Sequence, residues 1–351
     1  MDALIREIMI VGNSLPGLPI DTVYLGGGTP SLLQPEQVQR ILTAIAENFH
    51  LLLDAEISLE ANPNDLDDEY LTSLFAAGVN RISIGMQSAN PGELTLFDRR
   101  HNHQMVIDAV RAARQANLGN LNLDLIYGIP EQTLRHWEIS LRGMLSLNPQ
   151  HVSLYALSLE GGTPLKSQVD TGELPKPDDD LAAEMYELAS LMLHSAGYTQ
   201  YEISNWSLPG YACRHNLQYW RNLSYIGLGP GAHGYAGGVR YSTLLLPTRY
   251  IQAMQLMDGH HEFPRSPATA KAINVGRDRE ISDTLIMGLR LTQEGILREG
   301  FQLRFGVDIL ELYGPTIDKY RGFGLLSVDD ERVCLTDRGR LLSNVILREF
   351  V

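Results

Sequence analysis

Cysteine is almost missing from this chain: its 351 residues hold two, Cys213 and Cys334, far apart and without a C-x-x-C neighbour. They cannot build a disulfide framework, and two thiolates are too few for the three or four cysteine ligands of an iron–sulfur cluster. Long apolar runs are missing too. No stretch approaches the roughly 18 to 20 uninterrupted apolar residues that span a bilayer, and the N-terminal segment 1–10 carries Asp2, Arg6 and Glu7 where a signal peptide needs an apolar core. A cytoplasmic location follows as the expectation. Basic residues are in deficit, 28 Lys and Arg against 42 Asp and Glu, and the net charge of −14 repels phosphate backbones. Nucleic acid is therefore excluded as a general partner.

What is present is ample apolar material, 44% of the residues, in a repeating order. Short apolar strands alternate with amphipathic helices at a period of roughly 30 to 35 residues, the βα unit of a parallel sheet. The pattern predicts strands at 22–26, 57–61, 80–85, 121–126 and 152–158. Helices are expected near 35–48, 67–77, 103–117, 131–147 and 178–196. A further helix near 2–12 has no strand before it, so the repeat opens one strand short.

Ligands of such folds collect at the carboxyl ends of the strands. The first strand runs into Gly26-Gly27-Gly28-Thr29-Pro30-Ser31, with Ser31 placed to help begin the next helix. Taken alone, this turn is either a tight connection or a binding loop. The next strands end at Glu60-Ala61-Asn62-Pro63, Gly85-Met86-Gln87-Ser88, Asp124 before Tyr127-Gly128-Ile129-Pro130, and Tyr155-Ala156-Leu157. Five strands that each deliver a glycine, a carboxylate or an amide to one rim favour a rim site. Arg99 either grips a ligand carboxylate through its guanidinium or pairs with Asp98 on the surface. The acidic triplet Asp178–Asp180 reads as a helix cap in preference to a metal site.

From Gly197 to Gly238 tyrosines and tryptophans crowd in among glycines, either covering the open side of the sheet or walling a pocket for a large flat ligand. Within this stretch Cys213 and His215, one residue apart, are candidate haem or zinc ligands, although a loop histidine satisfied by hydrogen bonds is the simpler reading. The division expected is 1–196 for the barrel, 197–258 for its extension, 259–282 for a linker and 283–351 for a winged-helix-like domain. From Glu280 to Val351, nine Lys or Arg face twelve Asp or Glu, a local charge of −3 that suits docking or structure better than DNA binding.

Taken together, six ordered motifs carry a family resemblance: the glycine loop at 26–31, Glu60-Ala61-Asn62-Pro63, Ile84-Gly85-Met86-Gln87-Ser88, Asp124 to Pro130, Tyr201-Glu202-Ile203-Ser204-Asn205, and Arg214-His215-Asn216-Leu217-Gln218-Tyr219-Trp220. The chain resembles the radical S-adenosylmethionine proteins related to oxygen-independent coproporphyrinogen dehydrogenase. The His-Asn-x-x-Tyr-Trp pattern at 215–220 points to the haem-chaperone branch. The resemblance implies an α/β fold, a partial (β/α)6 barrel lacking its first strand, followed by the extension and the winged-helix-like domain. It further implies S-adenosylmethionine held by Gly27, Gly28 and Thr29 at its methionine end, by Glu60, Gln87 and Arg99 at its polar groups, by Asp124 at the ribose and by Ala156 beside the adenine. Haem is the implied cargo, with Cys213 and His215 as candidate ligands. Haemoprotein acceptors such as respiratory enzymes are the implied partners, with room for peripheral membrane association through them and for a homodimer.

The family's 4Fe-4S cluster is bound by a C-x-x-x-C-x-x-C loop after the first barrel strand, and this sequence has neither the loop nor that strand. The expectation is therefore an N-terminally truncated member with no metal ligands, unable to cleave S-adenosylmethionine. The competing expectations are an oxygen-independent coproporphyrinogen dehydrogenase and a degenerate or mis-started paralogue without activity.

Overall fold

Seven strands join into one curled sheet in the computed structural model, which describes residues 1–256 and 261–351. They are β1 (Pro19–Leu25), β2 (His50–Ala61), β3 (Arg81–Gln87), β4 (Asn120–Tyr127), β5 (His151–Ala156), β6 (Thr199–Glu202) and β7 (Asn205–Ser207). Their order across the sheet is β1-β2-β3-β4-β5-β7-β6. The pairs from β2 to β5 are parallel, and β7 and β6 close the row antiparallel. The helices Pro35–Asn48, Asp68–Ala77, His103–Gln115, Leu134–Ser146 and Asp179–Ser195 fall in the gaps that the repeat predicts. Strand β2 begins at His50, earlier than expected, because its first part carries exposed Leu53 and Asp54 and so shows no buried run.

Helix starts follow local chemistry. Asp67, Asn102 and Thr133 each accept a backbone N–H of the first turn. Asp178 accepts two, from Asp180 and Leu181 at 3.0 and 3.1 Å, so the acidic triplet is a cap. Among the described residues no group of three or more His, Cys, Asp or Glu is arranged to hold a metal, and no helix is long and apolar enough to cross a membrane.

The chain forms two compact units. One comprises Tyr24–Pro35 and Ile57–Cys213; the other comprises Met1–Val23, Glu36–Glu56 and Arg214–Val351. In the first, strict alternation gives the sheet two different faces. Ile82, Ile84, Met86, Leu121, Leu123, Leu125, Val152 and Leu154 form an apolar face. The intervening residues, Arg81, Ser83, Asn122, His151 and Ser153, are equally buried but polar. Register places Ser83 beside Asn122 and Asn122 beside His151. Buried polar groups must pair among themselves. His151 does so on both ring nitrogens, Nδ1 to Asn122 Oδ1 at 2.6 Å and Nε2 to Tyr201 Oη at 2.8 Å.

In the second unit, β8 (His233–Ala236), β9 (Val239–Thr243) and β10 (Thr269–Asn274) form a sheet in the order β10-β9-β8. Its hub is the buried Glu7 on the helix Asp2–Ser14. One carboxylate oxygen accepts from Ser266 Oγ at 2.6 Å, and the other accepts from Tyr250 Oη at 2.6 Å and Gly229 N–H at 2.7 Å. Strand β10 corrects the linker expected at 259–282, and the helix Arg277–Gly288 also begins inside that range. The strand leaves no pattern in the sequence because it is an edge whose Lys271 and Asn274 leave no apolar face. Residues 257–260, the end of the expected extension and the start of the expected linker, lie outside the described residues.

The C-terminal part has the winged-helix order, with helices Arg277–Gly288, Arg298–Phe305 and Ile309–Gly322 and then a hairpin of β12 (Leu326–Val328) and β13 (Arg332–Leu335). A two-residue strand, β11 (Ile296–Leu297), pairs with β13 as well, a detail too short to show as a pattern. Thr336 caps the next helix, Asp337–Leu341, by accepting from Gly339 N–H at 3.0 Å.

Burial, with a smaller push from the Arg81 charge, holds the His151 imidazole well below its ordinary value of 6.5. The native protein therefore keeps His151 neutral while the unfolded chain protonates it as pH falls through about 6.5. The stability this contributes is present at pH 7 and declines toward pH 5, at up to about 1.4 kcal/mol per pH unit for the one proton. Urea unfolding of wild type and His151→Gln at both values should show a shallower pH dependence in the variant. Equal slopes would contradict a neutral buried His151. Glu7→Ala should cost about 3 kcal/mol or more in the same assay, because three buried donors lose their acceptor.

Candidate functional site

The rim of the sheet in the first unit is where the sequence placed a ligand. Glycines 26 to 28, directly after β1, are exposed. A Cβ on Gly27 or Gly28 would meet nothing within 4 Å, whereas one on Gly26 would strike the Tyr24 ring at 2.7 Å. Gly27 has φ +104°, a conformation that only glycine adopts without strain. Its N–H donates to Glu60 Oε2 at 3.3 Å, and Tyr24 Oη donates to Glu60 Oε1 at 2.8 Å. Thr29 is half-buried ahead of a short turn at Pro30–Leu32. Ser31 does not begin the following helix, which opens at Pro35; its hydroxyl donates instead to Asp65 Oδ2 at 2.6 Å.

The neighbouring strands add the other candidates. Gln87 ends β3 at φ +63°, buried, with its amide so close to Gly85 that a Cβ there would lie 2.7 Å from Nε2. Exposed Arg99 donates from Nη1 to Asn62 Oδ1 at 3.2 Å, on the loop after β2. Half-buried Asp124 accepts from Asn122 Nδ2 at 2.7 Å and Ser83 Oγ at 3.2 Å. Ala156 is exposed at the end of β5, in register with Tyr127. Glu60, Gln87, Asp124 and Ala156 thus stand toward the same end of adjacent parallel strands, as the rim reading requires.

The electrostatics follow from this crowding. Loss of solvent raises the Asp124 carboxyl above its ordinary 3.8, and the negative Glu60 adds to the rise; hydrogen bonds from Asn122 and Ser83 oppose it. Burial and then the charges of Glu60 and Asp124 push the Tyr24 hydroxyl far up, so it remains a donor to Glu60. An exposed glycine turn and a guanidinium suit a ligand carboxylate, Glu60 suits an ammonium, and Asp124 suits hydroxyl donors. That donor set fits an amino-acid nucleoside such as S-adenosylmethionine. A four-iron cluster does not fit: Cys213 and Cys334 are both buried, and no third cysteine exists.

The second candidate lies in the other unit, on a helix and not on a loop. Helix Arg214–Trp220 opens on the Glu56 carboxylate, which accepts the N–H groups of Arg214 and His215, both at 3.0 Å. A negative group at a helix N-terminus is favourable twice, by hydrogen bonding and by the dipole. His215 Nδ1 lies 2.8 Å from Thr22 Oγ1, and its Nε2 lies 2.9 Å from Tyr219 Oη, one turn along the helix. Tyr219 meets Tyr225 edge-on at 4.5 Å, and Arg290 stacks over Trp220 at 4.5 Å. The His-Asn-x-x-Tyr-Trp pattern is thus a helix face with each of these three rings engaged. Cys213 is completely buried within the first unit.

The aromatic stretch 198–235 is no single wall. Tyr198, Tyr201 and Trp206 are core residues of the first unit, whereas Tyr219, Trp220, Tyr225 and Tyr235 belong to the second. Residues that the sequence reading missed are Tyr24, Asn122 and His151 around the rim, and Thr22 and Glu56 around His215. The signal for the rim residues was available: Asn120-Leu121-Asn122-Leu123-Asp124 and His151-Val152-Ser153 alternate strictly, as a strand with one polar face does.

The radical SAM superfamily pattern matches residues 4–142, and the HemN C-terminal domain pattern matches residues 277–342. The heme chaperone HemW of Lactococcus lactis is 36% identical over 100% of this chain and 90% of its own length. The heme chaperone HemW of Mycobacterium tuberculosis is 37% identical over 99% of this chain and 84% of its own length. Coproporphyrinogen III oxidase (HemN) of Escherichia coli, a radical SAM enzyme, superposes with a TM-score of 0.83 over 99% of this chain and 82% of HemN, at 23% identity, and so shares the fold. The chain therefore belongs to the radical SAM superfamily, in the family of the heme chaperone HemW.

Proposed function

We propose that this protein is a haem chaperone that binds haem and delivers it to haemoproteins, respiratory enzymes among them, in the cytoplasm. The observation that carries the reading is its likeness, over 99 to 100% of this chain, to proteins named heme chaperone HemW. The helix Arg214–Trp220 supports it with a histidine whose ring nitrogens each meet a hydroxyl, Thr22 at Nδ1 and Tyr219 at Nε2, partners that a metal can displace at modest cost. Of the two candidate ligands His215 is favoured over Cys213, whose thiol would have to leave the core to reach an iron.

At the rim, Gly27, Gly28 and Thr29 take the methionine end of S-adenosylmethionine, Glu60, Gln87 and Arg99 its charged groups, Asp124 the ribose and Ala156 the adenine side. Bound S-adenosylmethionine supplies a sulfonium and an adenosyl group to that site. This chain contributes orientation and charge, and with two cysteines it supplies no ligand set for a cluster, so no cleavage step is assigned to its residues.

Titration of the purified protein with haemin should give a shifted Soret band, and mixing the loaded protein with an apo-haemoprotein should transfer the haem. Absence of both would overturn the chaperone reading. If His215 Nε2 is the ligand, Tyr219→Phe removes its 2.9 Å competitor and should tighten haem binding by about 0.5 to 1.5 kcal/mol, whereas His215→Ala should weaken it. Unchanged affinity in both variants would move the ligand elsewhere. Calorimetry with S-adenosylmethionine should show Asp124→Ala weaker by about 1 to 3 kcal/mol.

A further inference from the structure

The Tyr-Glu-Ile-Ser-Asn stretch at 201–205 lies on β6 and β7, at the far edge of the sheet from the glycine loop. A hydrogen-bonded path nevertheless leads from Tyr201 to Asp124, and elementary donor and acceptor rules fix its direction at every step. Asn122 Nδ2 lies 2.7 Å from Asp124 Oδ1 and 2.6 Å from Ser83 Oγ. An ionised carboxylate only accepts, so the amide nitrogen, and not the amide oxygen, must face it. The Asn122 oxygen is then turned toward His151 Nδ1 at 2.6 Å, and it also accepts from Ser153 Oγ at 3.1 Å.

An amide oxygen cannot donate, so the imidazole proton sits on Nδ1. The ring is neutral in its buried position, which leaves a lone pair on Nε2 to accept from Tyr201 Oη at 2.8 Å. Ser83 Oγ accepts from Asn122 and passes its own proton toward Asp124 Oδ2 at 3.2 Å, so both carboxylate oxygens are addressed from the same amide. Tyr201, His151, Asn122 and Ser83 are all buried, while Asp124 keeps part of its surface open.

We propose that Tyr201, His151 and Asn122 are positioning residues for Asp124: a one-way hydrogen-bond relay that fixes the carboxylate so that its outward lone pairs meet the ribose hydroxyls of a nucleoside ligand. The proposal rests on the reading that Asp124 takes the ribose of S-adenosylmethionine. It assigns the 201–205 motif a role in ligand selection, since a site built to bond a hydroxyl discriminates against the analogue that lacks it. Reversing or removing any one link leaves Asp124 free to rotate or to hold a proton, and the discrimination falls.

The experiment is calorimetric binding of S-adenosylmethionine and of its 2′-deoxyribose analogue to the full chain, as wild type, Tyr201→Phe, Asn122→Asp and Asp124→Ala. Thermal melts of each variant run alongside. Tyr201→Phe keeps the ring and deletes only the first donor, so it serves as the test even if Asn122→Asp fails to fold. The expected result is a wild-type preference for S-adenosylmethionine of at least about tenfold. That preference should shrink roughly three- to tenfold in Tyr201→Phe and approach unity in Asn122→Asp and Asp124→Ala, with affinity for the deoxy analogue unchanged within about twofold.

A preference retained in Tyr201→Phe and in any folded Asn122→Asp but lost in Asp124→Ala would overturn the relay and leave the ribose reading standing. A preference retained in Asp124→Ala, or absent from wild type, would overturn both. Equal weakening toward the two ligands would mark a purely structural role and would also overturn the proposal.

Discussion

The amide of Asn122 is the interaction on which the first unit depends. A parallel sheet is ordinarily apolar on both faces because both are covered, yet here one buried face carries Arg81, Ser83, Asn122, His151 and Ser153. Such a layer is tolerable only if each group meets its complement, and Asn122 meets three of them, Ser83, His151 and Ser153, together with Asp124, with one side chain. This requirement fixes register more tightly than apolar packing does. A slip of one residue in β4 would set Leu121 or Leu123 where Asn122 stands, take Asp124 away from Ser83, and leave Ser83 and His151 without their amide partner. The polar layer thus specifies where Asp124 stands, and the position of the rim follows from the satisfaction of groups beneath it.

How much of this was legible varies with the physical range of the signal. The five βα strands and their helices show in the sequence because burial imposes an apolar run or a 3.6-residue period over many positions. The rim candidates show because glycine, carboxylate and amide residues directly follow those strands. Strand β10 does not show, since an exposed edge needs no apolar face, and β11 is two residues long. The partners of the candidates are the least visible. Tyr24 and Glu60 are 36 residues apart, and His151 and Tyr201 are 50 apart; only the folded register brings each pair within 2.8 Å. His215 is a related case. Its motif could be read, but that Thr22 and Tyr219 occupy its two nitrogens is a property of tertiary contact.

The two candidate sites differ in the work that a ligand must do on arrival. At the rim the glycine turn is exposed, with open space at Gly27 and Gly28, and the Asp124 carboxylate is already oriented, so binding there loses little to rearrangement. At His215 any metal must first displace a hydroxyl, either Thr22 from Nδ1 or Tyr219 from Nε2. On the chaperone reading that difference has a purpose. A carrier needs affinity low enough to release its cargo, and a hydroxyl that competes for the same lone pair lowers affinity by about 1 kcal/mol while adding no charge to the site. The same hydroxyl re-forms its bond as the metal departs, so it stabilises the unloaded helix and favours transfer to an acceptor with an uncontested ligand. A permanent haem protein has no use for such a competitor. The Tyr219 hydroxyl at 2.9 Å is therefore the group that any metal approaching Nε2 would have to move.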